Sequence, residues 1–132
     1  NFARIVGELR KGELHPALDV EDAKQWAALS KEEVTELVLE WLRGTEQAFG
    51  VKPFVYISPS FAEQYLDATS SELSEFPLWI AHWNVDHALV PPPWKRWTFW
   101  QHSSTGRVDG IHDKVDLDWF WGDEEQFELM RV

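Results

Sequence analysis

Ser30-Lys-Glu-Glu33 is a capping box, a hydroxyl followed three residues later by a glutamate, and it sets where the most regular element of the chain begins. Behind it Val34, Leu37, Val38, Trp41 and Leu42 fall at the spacing of one buried stripe, which predicts an amphipathic helix ending near Phe49-Gly50. A short run introduced by proline, Pro16-Ala-Leu-Asp-Val-Glu21, precedes this helix and reads as a strand that ends in carboxylates. Phe54-Val-Tyr-Ile57 follows it, β-branched and aromatic, bounded by Pro53 and by Ser58-Pro59. Strand, helix, strand is the signature of a parallel βαβ unit, so the chain is read as α/β.

The remaining pattern extends this unit. Phe2, Ile5, Val6 and Leu9 have helix-like spacing, with a stop at Lys11-Gly12. Ser60 to Leu66 reads as a short helix and Leu78-Trp-Ile-Ala81 as an apolar strand. Pro91-Pro-Pro93 is a rigid turn or extended loop. Trp97-Thr-Phe-Trp-Gln101 is strand-like, Thr105-Gly106 and Asp109-Gly110 are turn signals, and Val115-Asp-Leu117 is a last short strand. Phe127-Glu-Leu-Met130 is expected to pack back on the body. Helices thin out towards the C-terminus. With 132 residues and no repeat, low-complexity tract or linker, residues 1–132 are expected to form a single domain.

Acidic residues outnumber basic ones 23 to 12, for a formal charge of −11. That balance argues against nucleic acid, which needs clustered Lys and Arg, and against anionic membranes. No apolar run is long enough for a transmembrane helix, and no signal-like segment opens the chain. With no cysteine, disulfides, thiolate metal sites and cysteine nucleophiles are excluded. The outlier is tryptophan, with nine residues. Tryptophan packs cores, and it also stacks on the apolar C–H face of a pyranose ring, so position has to decide between the two.

Asp19-Val20-Glu21 is the first chemical signal. Residues two apart on a strand point the same way, so Asp19 and Glu21 project side by side from one strand end. Each raises the other's affinity for a proton, so one can stay protonated near neutral pH. A protonated carboxyl beside an ionised one is what glycosidic cleavage requires. The competing reading is that these acids cap the helix N-terminus implied by Ala23-Lys-Gln-Trp26.

The triplet has company. Leu14-His-Pro-Ala-Leu-Asp-Val-Glu21 resembles the "LDvE" segment of family 25 lysozymes, the Chalaropsis type of muramidase. Pro53-Phe-Val-Tyr-Ile-Ser58 and Pro77-Leu-Trp-Ile-Ala81 are similar to two further strands of that family. Trp97-Thr-Phe-Trp-Gln-His-Ser103, Gly106-Arg-Val-Asp-Gly-Ile111 and Val115-Asp-Leu-Asp-Trp-Phe120 are similar to its ending. The segments come in the family's order and spacing, from roughly Leu14 to Gly122.

The resemblance implies a modified (β/α) TIM-like barrel, of which this chain holds only the later strands and helices, the C-terminal part of a catalytic barrel. It implies hydrolysis of the β-1,4 bond between N-acetylmuramic acid and N-acetylglucosamine in peptidoglycan, by a secreted protein or a phage lysis protein, with no cofactor and no metal. Glu21 matches the family's general acid, Asp19 the carboxylate beside it, and Asp116 the acidic residue of the last strand. Tyr56, Trp79, Trp100 and Gln101 match substrate-binding positions at the strand ends. The alternative reading is a non-catalytic carbohydrate-binding module derived from the same fold; a structural part of a phage or wall assembly is a third.

Three departures stand out. His102 occupies the place of the family's Tyr after Trp-Gln, and Asp118 that of an Asn. The family's opening strand, with its Asp-x-Ser, is not in the chain. A (β/α) barrel needs roughly 200 residues, so a second chain or a missing N-terminal segment is expected to complete it, and the chain is not expected to stand as an ordinary soluble monomer. His15, His82, His87, His102 and His112 lack the close paired spacing of a zinc helix. No serine lies in a nucleophile-elbow motif. Trp26 and Trp41 read as core, whereas Trp83, Trp94, Trp97, Trp119 and Trp121 stay divided between core and groove.

Overall fold

The structure, a computed structural model, describes residues 2–132. Helix α1 (Phe2–Val6) ends at Gly7, whose φ of 75° lies in the left-handed region that glycine enters without strain. The helix therefore stops one turn before the Lys11-Gly12 expected from the sequence. Strand β1 (Ala17–Asp19) leads through the short helix α2 (Ala23–Trp26) into α3 (Lys31–Phe49). The Ser30 capping box forms as read: the hydroxyl accepts from Glu33 N at 3.2 Å, and the Glu33 carboxylate accepts from Ser30 N at 2.8 Å. Gly50 closes α3 in the left-handed conformation and donates its N–H to Glu46 O.

Strand β2 (Phe54–Ile57), helix α4 (Pro59–Tyr65), a 3-10 turn (Ser71–Glu75) and strand β3 (Leu78–Ala81) follow. Strand β4 (Phe99–Gly106) runs five residues past Gln101, through the Thr105-Gly106 read as a turn, because it pairs with β5 (Val115–Phe120). The chain ends in helix α5 (Glu124–Glu128) and a short tail. The strands form one sheet in sequence order β1-β2-β3-β4-β5, parallel from β1 to β4 and antiparallel at β5.

The two faces of this sheet differ. Val55, Ile57, Leu78, Ile80 and Trp100 point to the outside and pack with Val34, Val38, Leu39 and Leu42 of α3 and with Phe61, Leu66 and Phe76. Leu42 is completely buried, a burial that contributes about 1.5–3 kcal/mol. The buried stripe of α3 includes Thr35, whose hydroxyl accepts from Asp67 N at 2.8 Å, and leaves Leu37 exposed on its flank. The inner face is aromatic: Phe54, Trp79, Phe99 and Phe120 form a chain of ring contacts with centroids 5.1–6.3 Å apart.

Phe127 of α5 covers Phe99 and Phe120, and the tail then pairs with the segment leading into β1. His15 N donates to Met130 O, Gly12 N to Val132 O, and Val132 N to Glu13 O. The C-terminal segment thus seals the end where the parallel strands begin. The end where they finish stays open, and the carboxylates lie there.

Candidate active site

Asp19 is the last residue of β1, and Val20 extends the pairing by donating to Tyr56 O at 3.0 Å. The helix behind the triplet is capped by Asp22, which accepts from Lys24 N at 3.1 Å. The capping role therefore falls to Asp22, and Asp19 and Glu21 are left for other work. Asp19 is held above the ordinary carboxylate range, first by burial, then by the negative charge of Glu21 and by hydrogen bonding with the Glu21 side chain.

Asp19 pairs in register with Tyr56, and Tyr56 with Trp79, which brings three of the expected site residues into one row across the sheet. The Tyr56 hydroxyl donates to Gln101 Oε1 at 2.9 Å. Its pKa is raised by burial and then by the charges of Glu21, Asp19 and Asp116. The charges of all three carboxylates therefore act on one phenol, although Asp19 and Asp116 belong to strands at opposite edges of the sheet.

Gln101 is 5% exposed and accepts a second hydrogen bond, from Trp83 Nε1 at 2.8 Å. Trp83 stands just beyond β3 with 46% of its surface exposed, so its ring is fixed by one edge while its face meets solvent. Across the hairpin from Gln101 lies Asp118, which accepts from Trp79 Nε1 at 2.7 Å. Burial raises the Asp118 pKa, the bond from Trp79 lowers it, Asp116 raises it, and His102 lowers it. Glu21, Tyr56, Ser58, His82, Trp83 and Asn84 line a cavity of about 690 Å³ between the ends of β1, β2 and β3.

Trp100 does not face this cavity. Alternation along β4 sends it to the side opposite Gln101, where it is buried in the core and donates Nε1 to His82 O at 2.8 Å. There it holds the loop after β3, while Trp83 is the tryptophan that lines this cavity. The other tryptophans divide by position. Trp94 is buried, donating to Phe76 O, and Trp26, Trp41 and Trp97 pack against the core, while Trp119 and Trp121 are exposed on β5. Ser58, His82 and Asn84 were not singled out for the cleft, and Trp83 was left between core and groove; their signal is that they fall within three residues of the end of a parallel strand.

Among the described residues, no group of His, Asp and Glu side chains is placed to hold a metal ion, and no helix is long and apolar enough to cross a membrane.

Residues 1–111 match the sequence pattern of Glycosyl hydrolases family 25. The chain belongs to this family. The uncharacterized protein YegX of Escherichia coli O157:H7 is 33% identical over 121 residues, which is 92% of this chain and 42% of YegX. Lysozyme M1 of Streptomyces globisporus is 37% identical over 68 residues, 52% of this chain and 23% of that protein. The crystal structure of the bacterial lysozyme from Streptomyces coelicolor superposes with a TM-score of 0.83 at 23% identity, covering 95% of this chain and 59% of that one. The chain thus spans less than half the length of the curated relatives it matches. The expected architecture holds: a family 25 TIM-like fold, here as a five-stranded part of the barrel.

Proposed function

We propose that the chain carries the acid–base centre of a muramidase, cleaving the β-1,4 bond between N-acetylmuramic acid and N-acetylglucosamine in peptidoglycan. The observation that carries this reading is the Asp19–Glu21 carboxyl pair at the strand end, where burial and the Glu21 charge hold Asp19 above the ordinary carboxylate range, with the charge of Asp116 reaching Tyr56 beside them. Two carboxyl groups this close keep a proton that isolated ones would release. Glu21 borders the cavity and Asp19 does not, so a proton held by the pair reaches substrate through Glu21.

In the reaction Glu21 donates that proton to the glycosidic oxygen as the C–O bond breaks, and the leaving sugar departs as an alcohol. The pair is then fully ionised. Its charge, with that of Asp116, stabilises the oxocarbenium-like anomeric carbon. A water oxygen then bonds to that carbon as one of its O–H bonds breaks, and the released proton returns to the carboxyl pair. Tyr56, held by Gln101, and the face of Trp83 orient the sugars.

Residues 1–132 act in this proposal as one domain, the C-terminal part of the catalytic barrel. β1 and β5 are the outer strands of the sheet among the described residues, and these are the edges where a further segment or a second chain would pair. The substrate places the protein at the cell wall, as a secreted enzyme or in phage lysis.

Release of reducing ends from purified peptidoglycan, measured for the chain and for Glu21→Gln, tests the proposal. Turnover that the substitution abolishes supports it. Turnover that survives refutes Glu21 as the acid, and wall binding without turnover in both forms identifies a carbohydrate-binding module instead.

A further inference from the structure

Beyond the cleft, Asn84, Val85, Asp86, Trp100, His102, Ser103 and Trp119 line a second cavity of about 400 Å³ on the outer side of the β4–β5 hairpin. Asn84 belongs to both cavities, so the second one continues the first across a single residue. Asn84 has a φ of 57°, a left-handed conformation that few residues other than glycine adopt and that asparagine tolerates best. The turn it makes leaves Trp83 in the first cavity and puts Val85 and Asp86 in the second. Strained backbone of this kind persists where the surroundings hold it in place, and such positions concentrate at binding sites.

The wall of the second cavity is a rigid aromatic step. Trp119 is 56% exposed, yet its ring is fixed from beneath by Trp100, with centroids 5.3 Å apart at 77°, and by His102, at 4.9 Å and 48°. Among the described residues, the chain passes from β3 to β4 through a loop and from β4 to β5 through a hairpin, with no helix between these strands. An exposed indole that costs no further ordering offers an apolar platform, and Asp86, His102, Ser103 and Asn84 supply hydrogen-bonding groups around it. A flat apolar face ringed by polar groups matches the two sides of a pyranose: C–H bonds across the ring and hydroxyl or acetamido groups at its edge. His102 and Trp119, moreover, give this wall its shape through their mutual contact.

We propose that this cavity is an additional saccharide subsite of the glycan groove, in which Trp119 stacks on an N-acetylhexosamine lying beyond the sugars held in the catalytic cleft. The proposal rests on the muramidase reading for the direction of the groove, and on geometry alone for the platform. The subsite holds one more unit of the same strand, so it contributes to capture of long glycans and leaves the bond-breaking step unchanged.

The test follows the indole N–H signals of the 132-residue chain by NMR during titration with the N-acetylglucosamine tetramer, and in parallel measures turnover of peptidoglycan strands. Binding shifts the Trp119 signal together with that of Trp83. In Trp119→Ala the KM for long strands rises about fivefold, equivalent to about 1 kcal/mol of lost stacking, with kcat unchanged, and Trp119→Tyr restores most of the affinity. Trp119 is exposed, so circular dichroism should find both variants folded. A Trp119 signal that stays still while Trp83 shifts overturns the subsite, as does no response at either residue, or a Trp119→Ala variant with the parent's KM. Should Trp119 respond in a chain without turnover, the muramidase reading fails and the subsite stands.

Discussion

Gln101→Leu removes one acceptor, and its cost can be worked from the groups it leaves behind. Gln101 Oε1 takes hydrogen bonds from the Tyr56 hydroxyl at 2.9 Å and from Trp83 Nε1 at 2.8 Å. Leucine fills a similar volume without receiving either. Tyr56 is half-buried, and its stranded hydroxyl costs about 1–2 kcal/mol. Trp83 is 46% exposed and can turn its N–H to water, so its loss is smaller, about 0.5 kcal/mol. The sum is about 2 kcal/mol, or a fall in Tm of roughly 8 °C for a domain of this size. In a Tyr56→Phe/Trp83→Phe background both donors are already gone and Gln101 itself is the unpaired group. There the same Gln101→Leu change should be neutral or stabilising, giving a coupling of about 2 kcal/mol. Urea unfolding of the four proteins measures it. An equal cost in both backgrounds, within about 0.5 kcal/mol, would show that these hydrogen bonds do not hold the cleft together.

Asp19→Asn carries a pH signature. The folded-state pKa of Asp19 lies above its unfolded value of about 3.9, so the folded state binds the proton more tightly and the parent loses stability as pH rises through that interval. Asparagine has no proton to lose. The variant should gain on the parent from about pH 4 upward and then hold a constant advantage, even though activity suffers; urea midpoints of the two proteins across that range that keep a fixed spacing would contradict the burial and charge ascribed to Asp19. Gly106→Ala should cost about 1–3 kcal/mol by overpacking, because an added Cβ would stand 2.4 Å from Leu117 Cγ and 2.9 Å from the backbone oxygen of Val115. A thermal melt matching the parent's would show that the β4–β5 hairpin accommodates a methyl group there.

Local chemistry determined much of what was legible in the sequence. The capping box and the apolar spacing behind it placed α3, and Phe54–Ile57 and Leu78–Ala81 became strands over the expected residues, because caps, β-branching and alternation act over a few neighbours. The Asp-x-Glu spacing likewise put two carboxylates at the end of one strand, Asp19 as its last residue and Glu21 two residues on. What a neighbour several elements away decides was not legible. β4 continued through a turn signal because β5 returned antiparallel beside it, and Trp100 went to the core because Gln101 took the inner face. Trp83 was fixed beside the cavity by a hydrogen bond to a residue 18 positions on, and the charge of Asp116 reached Tyr56, together with those of Asp19 and Glu21, from the opposite edge of the sheet. Residue types and their spacing determined which groups could do acid–base chemistry; tertiary structure decided which of them share a cavity, since electrostatics and hydrogen bonds depend on distance in space rather than along the chain.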